Sequence, residues 1–146
     1  MQSLRMSNLL RNLFLVGIVS VISSCTEAKS QECAKIITLA NETVEEAKRI
    51  TAGKESTDPK AALLASDTME LAAKEMADLS ISDPQLKTYQ KQFVQMYEDT
   101  AQATRSFVKA YNNQEIEKLK PAREELEKAT DTDQELVTKI NDYCLE

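Results

Sequence analysis

Ser82-Asp83-Pro84-Gln85-Leu86-Lys87-Thr88-Tyr89, running on to Tyr111, carries the clearest structural statement in the chain. Asp83 can accept hydrogen bonds from the free N–H groups of a first helical turn, and Pro84 lacks an N–H that would have no partner there anyway. Leu86, Tyr89, Phe93, Met96, Thr100, Ala103, Phe107 and Ala110 then follow at alternating steps of three and four. That spacing draws one apolar face on a helix. It predicts a helix over 84–112, closed by a turn at Asn112-Asn113.

The same punctuation recurs at Thr57-Asp58-Pro59 and predicts a second helix over 59–80, with Ala62, Ala65, Met69, Ala72, Met76 and Leu79 on its apolar face. Before it, Ser30 reads as an N-cap and Gly53 as a stop, framing a first helix over 31–52. Its face holds Cys33, Ile36, Ile37, Ala40, Val44 and Ala47. After Asn113 a fourth helix is expected over 114–145, with Leu119, Ala122, Leu126, Ala129, Leu136, Ile140 and Cys144 inward. It has two weak points. Pro121 deletes an intrahelical bond, and Thr132 with Glu135 forms a capping-box pair where the helix can bend or restart.

Composition agrees. From residue 25 onward there is one glycine, and Ala, Glu, Lys, Gln and Leu dominate; these residues lose little rotamer freedom in a helix. No alternating strand pattern or internal repeat is visible. Four helices joined by short connections imply an all-α fold, an antiparallel up-down-up-down four-helix bundle of one domain. Helix 2 is rich in alanine, while helix 3 carries five of the six aromatic residues beyond the leader. Small residues facing rings make a filled core. Tyr97 and Tyr111 are offset from the main stripe and are the candidate face for a partner or ligand.

The amino terminus carries a different message. Residues 1–12 contain Arg5 and Arg11 and no acid; residues 13–22 form an apolar run. A membrane-spanning helix needs about 20 apolar residues, so this run is short. A basic start, a short apolar stretch and then small residues make an export leader. Ile22-Ser23-Ser24-Cys25 resembles the bacterial lipobox, an aliphatic and two small residues before a cysteine. The resemblance covers the leader and Cys25 alone. It implies that the Cys25 thiol receives a diacylglycerol, that residues 1–24 are removed as a signal peptide, and that the new amino terminus takes a fatty acyl chain such as palmitate. Residues 25–30 would then be a lipid-anchored tether and 31–146 the bundle. Two other readings stand beside it: ordinary secretion with cleavage near Thr26-Glu27-Ala28, and an uncleaved signal anchor.

With Cys25 acylated, Cys33 and Cys144 remain as a pair. Export takes the chain to a compartment where disulfides persist. In an up-down-up-down bundle both residues lie at the same end and on the apolar stripes of their helices, which predicts a Cys33–Cys144 disulfide; two buried free thiols are the alternative.

Charge and site chemistry mainly exclude. The formal net charge is −6, and the leader's two arginines are its only charges before residue 26, so the rest is more acidic still. That argues against nucleic acid as a partner and against a domain lying flat on anionic lipid. Pairs such as Glu45–Arg49 and Glu124–Lys128 have the spacing of a solvated helix face. There is no histidine, which removes most zinc, haem and di-iron sites. No Cys-x-x-Cys, Gly-rich phosphate loop or Ser-His-Asp set is present, and nothing marks one pair of carboxylates as catalytic. Asp131-Thr132-Asp133-Gln134-Glu135 lacks the turn glycine of a calcium loop. No cofactor, metal or catalytic residue is expected. The chain is similar to small helical lipoproteins, including those of cyanobacteria, where comparable bundles attach to photosystem II in the lumen. The expected function is a non-catalytic, membrane-tethered interaction or assembly module, held in the bilayer through Cys25 and facing the periplasm, lumen or cell exterior, with a protein partner. The alternative is a periplasmic bundle that binds a small molecule or ion between helices 2 and 3, around Met69, Met76, Phe93 and Phe107. The first requires a filled interior and an exposed apolar patch; the second requires a cavity.

Overall fold

The computed structural model describes residues 22–52 and 58–145, without the side chains of 22–26, 132 and 133. The leader through Val21, the Gly53 stop, the side chain of Cys25 and the Thr132 capping box therefore lie outside the described residues. Those described form four helices and no strand: α1 (Ile22–Thr51), α2 (Pro59–Asp78), α3 (Pro84–Asn112) and α4 (Ile116–Leu145). They pack as an all-α helical bundle.

The two Asp-Pro starts behave as their chemistry demands. The Asp58 carboxylate accepts from the Lys60 and Ala61 amides at 2.9 and 3.4 Å. The Asp83 carboxylate accepts from the Gln85 and Leu86 amides at 2.9 and 2.8 Å. Each satisfies donors that the first turn cannot pair internally.

Helix limits differ from the sequence reading in several places, α2 ending at Asp78 rather than 80 and α4 beginning at Ile116 rather than 114. α1 is already helical at Ile22, not only from residue 31, so 25–30 is helical. Ser30 caps nothing there, because Glu27, Ala28, Lys29 and Gln31 contain no breaker and the helix passes through them. α4 runs unbroken across 129–135 and past Pro121; there the neighbouring turns carry the helix through the missing bond.

α3 is the centre of the bundle, packing extensively against both α2 and α4, whereas α1 packs chiefly on α2 and meets α3 and α4 only slightly. Ser66 Oγ donates to the Ala101 carbonyl at 3.0 Å, and Gln90 Nε2 donates to the Met76 carbonyl at 2.8 Å. Residues advancing along α2 thus meet residues receding along α3, and these two helices run in opposite directions. Because α3 is covered from two sides, its buried stripe is wider than a single face: Ala101 and Val108 are buried along with Met96 and Ala103.

The contiguous core gathers Ile36, Ala72, Ala73, Met76, Ile81, Leu86, Tyr89, Phe93, Met96, Tyr97, Leu136 and Ile140 around Cys33. Dispersion and burial of these large side chains supply most of the cohesion. Cys33 and Cys144 are joined by a disulfide, with Cα atoms 5.9 Å apart. It ties the first helix to the last across 111 residues of sequence.

Candidate functional site

Three features of the bundle have the geometry to interact with something else. The first is the polar cluster around the disulfide. Glu32, adjacent to Cys33, is buried and accepts from the Ser82 amide at 2.8 Å, the Ser82 hydroxyl at 2.5 Å and the Asp83 amide at 3.0 Å. The Ser82 hydroxyl, then the Asp83 amide, hold its carboxyl below the usual carboxylate range; both favour the charged form. Tyr143, adjacent to Cys144, donates its hydroxyl to the Asp83 carboxylate at 3.0 Å. Its ring meets Tyr89 edge-on at 5.9 Å, and Lys29 Nζ sits 4.0 Å above it. Gln90 Nε2 donates to the Leu79 carbonyl at 2.8 Å, and Lys35 Nζ donates to the Ser80 carbonyl at 3.5 Å. Thus α1, α3 and α4 all reach the turn between α2 and α3; α1 and α3 satisfy backbone groups that the helix ends leave free, and α4 bonds the Asp83 side chain.

The second feature is a groove between α3 and α4 with a volume of about 450 Å³. Its floor is Met96, Ala103, Ala129 and Leu136; its rim holds Gln92, Gln95, Asp99 and Gln102 opposite Glu125, Lys128, Glu135 and Lys139. It opens where Ala103 and Ala129, both lacking reach, line the two helices. On the rim Gln95 Nε2 donates to Asp99 at 2.8 Å, and Lys139 pairs with Glu135 at 2.6 Å. The size lies within the range of small-ligand sites.

The third is on α2, where Leu64 and Leu71 are 54% and 56% exposed and Leu63 is also open. Leu64 and Leu71 are seven residues apart and so share a face. Beside them Arg105 bridges Asp67 and Glu70, 2.7 Å from each; these pairs hold the guanidinium firmly charged, the Asp67 bond first.

The sequence-selected residues divide. Cys33 and Cys144 come together as expected. Tyr111 is 46% exposed, but Tyr97 is 3% exposed and lies in the core, its ring 6.0 Å from that of Phe93. The correction has a simple cause. Tyr97 stands one turn from Phe93 on a helix flanked by two neighbours, so a position offset from one stripe falls on the other. Met76 and Phe93 are fully buried in the core; open grooves lie away from them, one between α3 and α4 and one between α2 and α3 lined by Glu70, Lys74, Arg105 and Lys109. Glu32 was missed as an interhelix acceptor; its partners lie 50 and 51 residues away, and no local spacing reports them.

Among the described residues, no group of three or more Asp, Glu or Cys side chains could hold a metal ion, and no helix is long and apolar enough to cross a membrane. No family model, curated protein or solved structure matches the chain.

Proposed function

We propose that this chain is an exported lipoprotein whose up-down-up-down four-helix bundle acts, without catalysis, as an interaction or assembly module for an envelope or membrane complex. In this reading residues 1–24 are a signal peptide and Cys25 carries the lipid. The bundle faces the periplasm, lumen or cell exterior. The carrying observation is the lipobox-like Ile22-Ser23-Ser24-Cys25 at the end of a basic-then-apolar leader. The bundle supports it in two ways. Its interior around Met76 and Phe93 is filled, while Leu64 and Leu71 are exposed, as a docking module requires. Cys25 falls in α1 eight residues before Cys33, about 12 Å along a helix. The anchored end is then the disulfide end, and the sides and the Asn113 end are open to a partner. The mechanism is confinement: a lipid holds the bundle near a membrane complex and raises its effective concentration there.

The test has two arms. Mass spectrometry of the mature amino terminus should find an acylated Cys25, and Cys25→Ala should leave the membrane fraction. Replacing Leu64 and Leu71 with Ser should abolish crosslinking to a membrane partner while the helical content is unchanged. An unmodified amino terminus starting after Cys25 would overturn the anchor.

A second reading rests on the α3–α4 groove, whose volume suits a small ligand. Native mass spectrometry of protein purified without denaturation distinguishes the two, since a retained ligand favours this reading.

A further inference from the structure

The hydrogen bonds and the disulfide that join α1 to the rest of the bundle all lie at one end of its described length. Among its described side chains Glu32, Cys33, Ile36 and Thr43 are buried, three of the four within a turn and a half, with Ile37, Leu39 and Ala40 packed beside them. The Thr43 hydroxyl donates to the Leu39 carbonyl of its own helix at 2.8 Å. Beyond it Val44 is exposed, and the ion pairs Lys48–Glu45 and Arg49–Glu46 stay within α1. The bonds from α1 to other elements cluster where Glu32 meets Ser82 and Asp83, Lys35 meets Ser80, and Cys33 meets Cys144. Contact between α1 and α4 is otherwise slight. Cys33 is buried, whereas Cys144 is half-buried in the last turns of the chain.

We propose that the Cys33–Cys144 bond is a reducible latch: its reduction by a dithiol frees α1 from the bundle while the packed α2–α3 pair persists. A thiolate of the dithiol attacks Sγ of Cys144, the more accessible sulfur. The Cys33 sulfur leaves as a thiolate and takes a proton. The second thiol of the reductant then attacks the mixed disulfide, releasing Cys144 as a thiol and the reductant as its own disulfide. Two electrons and two protons pass from the dithiol to the two cysteines. Release uncovers the apolar surface under Ile36, in the cluster of Ala72, Ala73 and Met76. α1 is the helix that contains Cys25, so the latch also sets how rigidly the bundle follows its amino terminus. The latch stands whether or not Cys25 is acylated.

Hydrogen exchange read by mass spectrometry on the full chain, oxidised and then reduced with dithiothreitol, tests this. Reduction should lower the protection of amides 37–47 by about tenfold or more, while amides 72–76 and 93–97 change by less than about threefold, the pattern of a sub-global opening. A variant with both Cys33→Ser and Cys144→Ser should show the reduced pattern without reductant and not respond to it. Glu32→Gln should leave the oxidised pattern of 37–47 nearly unchanged and deepen the loss after reduction. If α1, α2 and α3 lose protection together, the bond is a global staple and the latch is wrong. Unchanged protection of α1 after complete reduction also overturns it.

Discussion

The two halves of α3 are built on opposite plans. From Pro84 to Tyr97 it buries Leu86, Tyr89, Phe93, Met96 and Tyr97. From Ala101 to Ala110 it buries Ala101, Ala103, Val108 and Ala110. The turn before the first half is held by Glu32, Lys35, Gln90 and Tyr143, drawn from three helices. The turn after the second half is closed mainly by backbone bonds, Asn113 to Lys109 and Glu115 to Ala110. One end is a packed and cross-linked knot. The other is a set of mostly small residues closed by backbone bonds. Large side chains and polar staples concentrate cohesion at the end where α1 is tied to α4.

The comparison breaks most visibly at the disulfide. Replacing Cys33 and Cys144 with serine should split urea unfolding into an early step for α1 and a later step for the α2–α3 pair close to the native midpoint, with the loss of stability falling on α1. A loss under about 1 kcal/mol would mean that the knot is held by packing alone.

Packing gives the next contrast. Phe93→Ala empties a fully buried position in the large-residue half and should cost about 3–5 kcal/mol. Val108→Ala, buried in the small-residue half, should cost about 2 kcal/mol. Equal costs in thermal unfolding would erase the asymmetry between the halves.

Glu32 sharpens the polar side of the contrast. Glu32→Ala leaves the Ser82 and Asp83 amides without their acceptor and should cost about 1–3 kcal/mol. The pH dependence has a fixed sign. The Ser82 hydroxyl and the Asp83 amide lower the carboxyl below its ordinary 4.5 in the folded protein. Its stabilisation is therefore complete above that ordinary value and is lost as pH falls through the lowered folded value. Thermal midpoints of the native protein and Glu32→Ala, taken from pH 7 down to pH 2, should converge at the acid end. Parallel curves would show that Glu32 is not the group responsible.

What could be read from sequence follows the reach of each interaction. Asp58-Pro59 and Asp83-Pro84 act within three residues, so α2 and α3 start where those residues place them. α3 ends where Asn112-Asn113 places it. The disulfide needed only helix count and direction, since Cys33 and Cys144 then fall at one end. Ser30 misled because a good cap residue also tolerates a helix interior, and its neighbours continue the helix. Tyr97 misled because burial on α3 depends on two flanking helices, which a single stripe does not represent. Glu32 and the Met96–Leu136 groove floor depend on contacts between distant residues and helix separation, which periodicity does not encode.

The smallest expected effect lies at the Asn113 end and goes the other way. Gln114 has φ of 55°, in the left-handed region that favours glycine. Its amide donates to the Tyr111 carbonyl at 3.1 Å, and the Glu115 amide donates to the Ala110 carbonyl at 2.9 Å. These two bonds form a Schellman closure of α3 with glutamine at the position usually given to glycine. Gln114→Gly removes the Cβ crowding, while added freedom in the unfolded chain offsets part of the gain. The balance should stabilise the protein by about 0.5–1 kcal/mol, read as a higher urea midpoint at unchanged slope. No comparable gain is available at the Asp83 turn, where the side chain already caps α3 and accepts from Tyr143. If Gln114→Gly instead lowers the midpoint, the glutamine side chain is holding the turn, and the Asn113 end is more constrained than its backbone bonds imply.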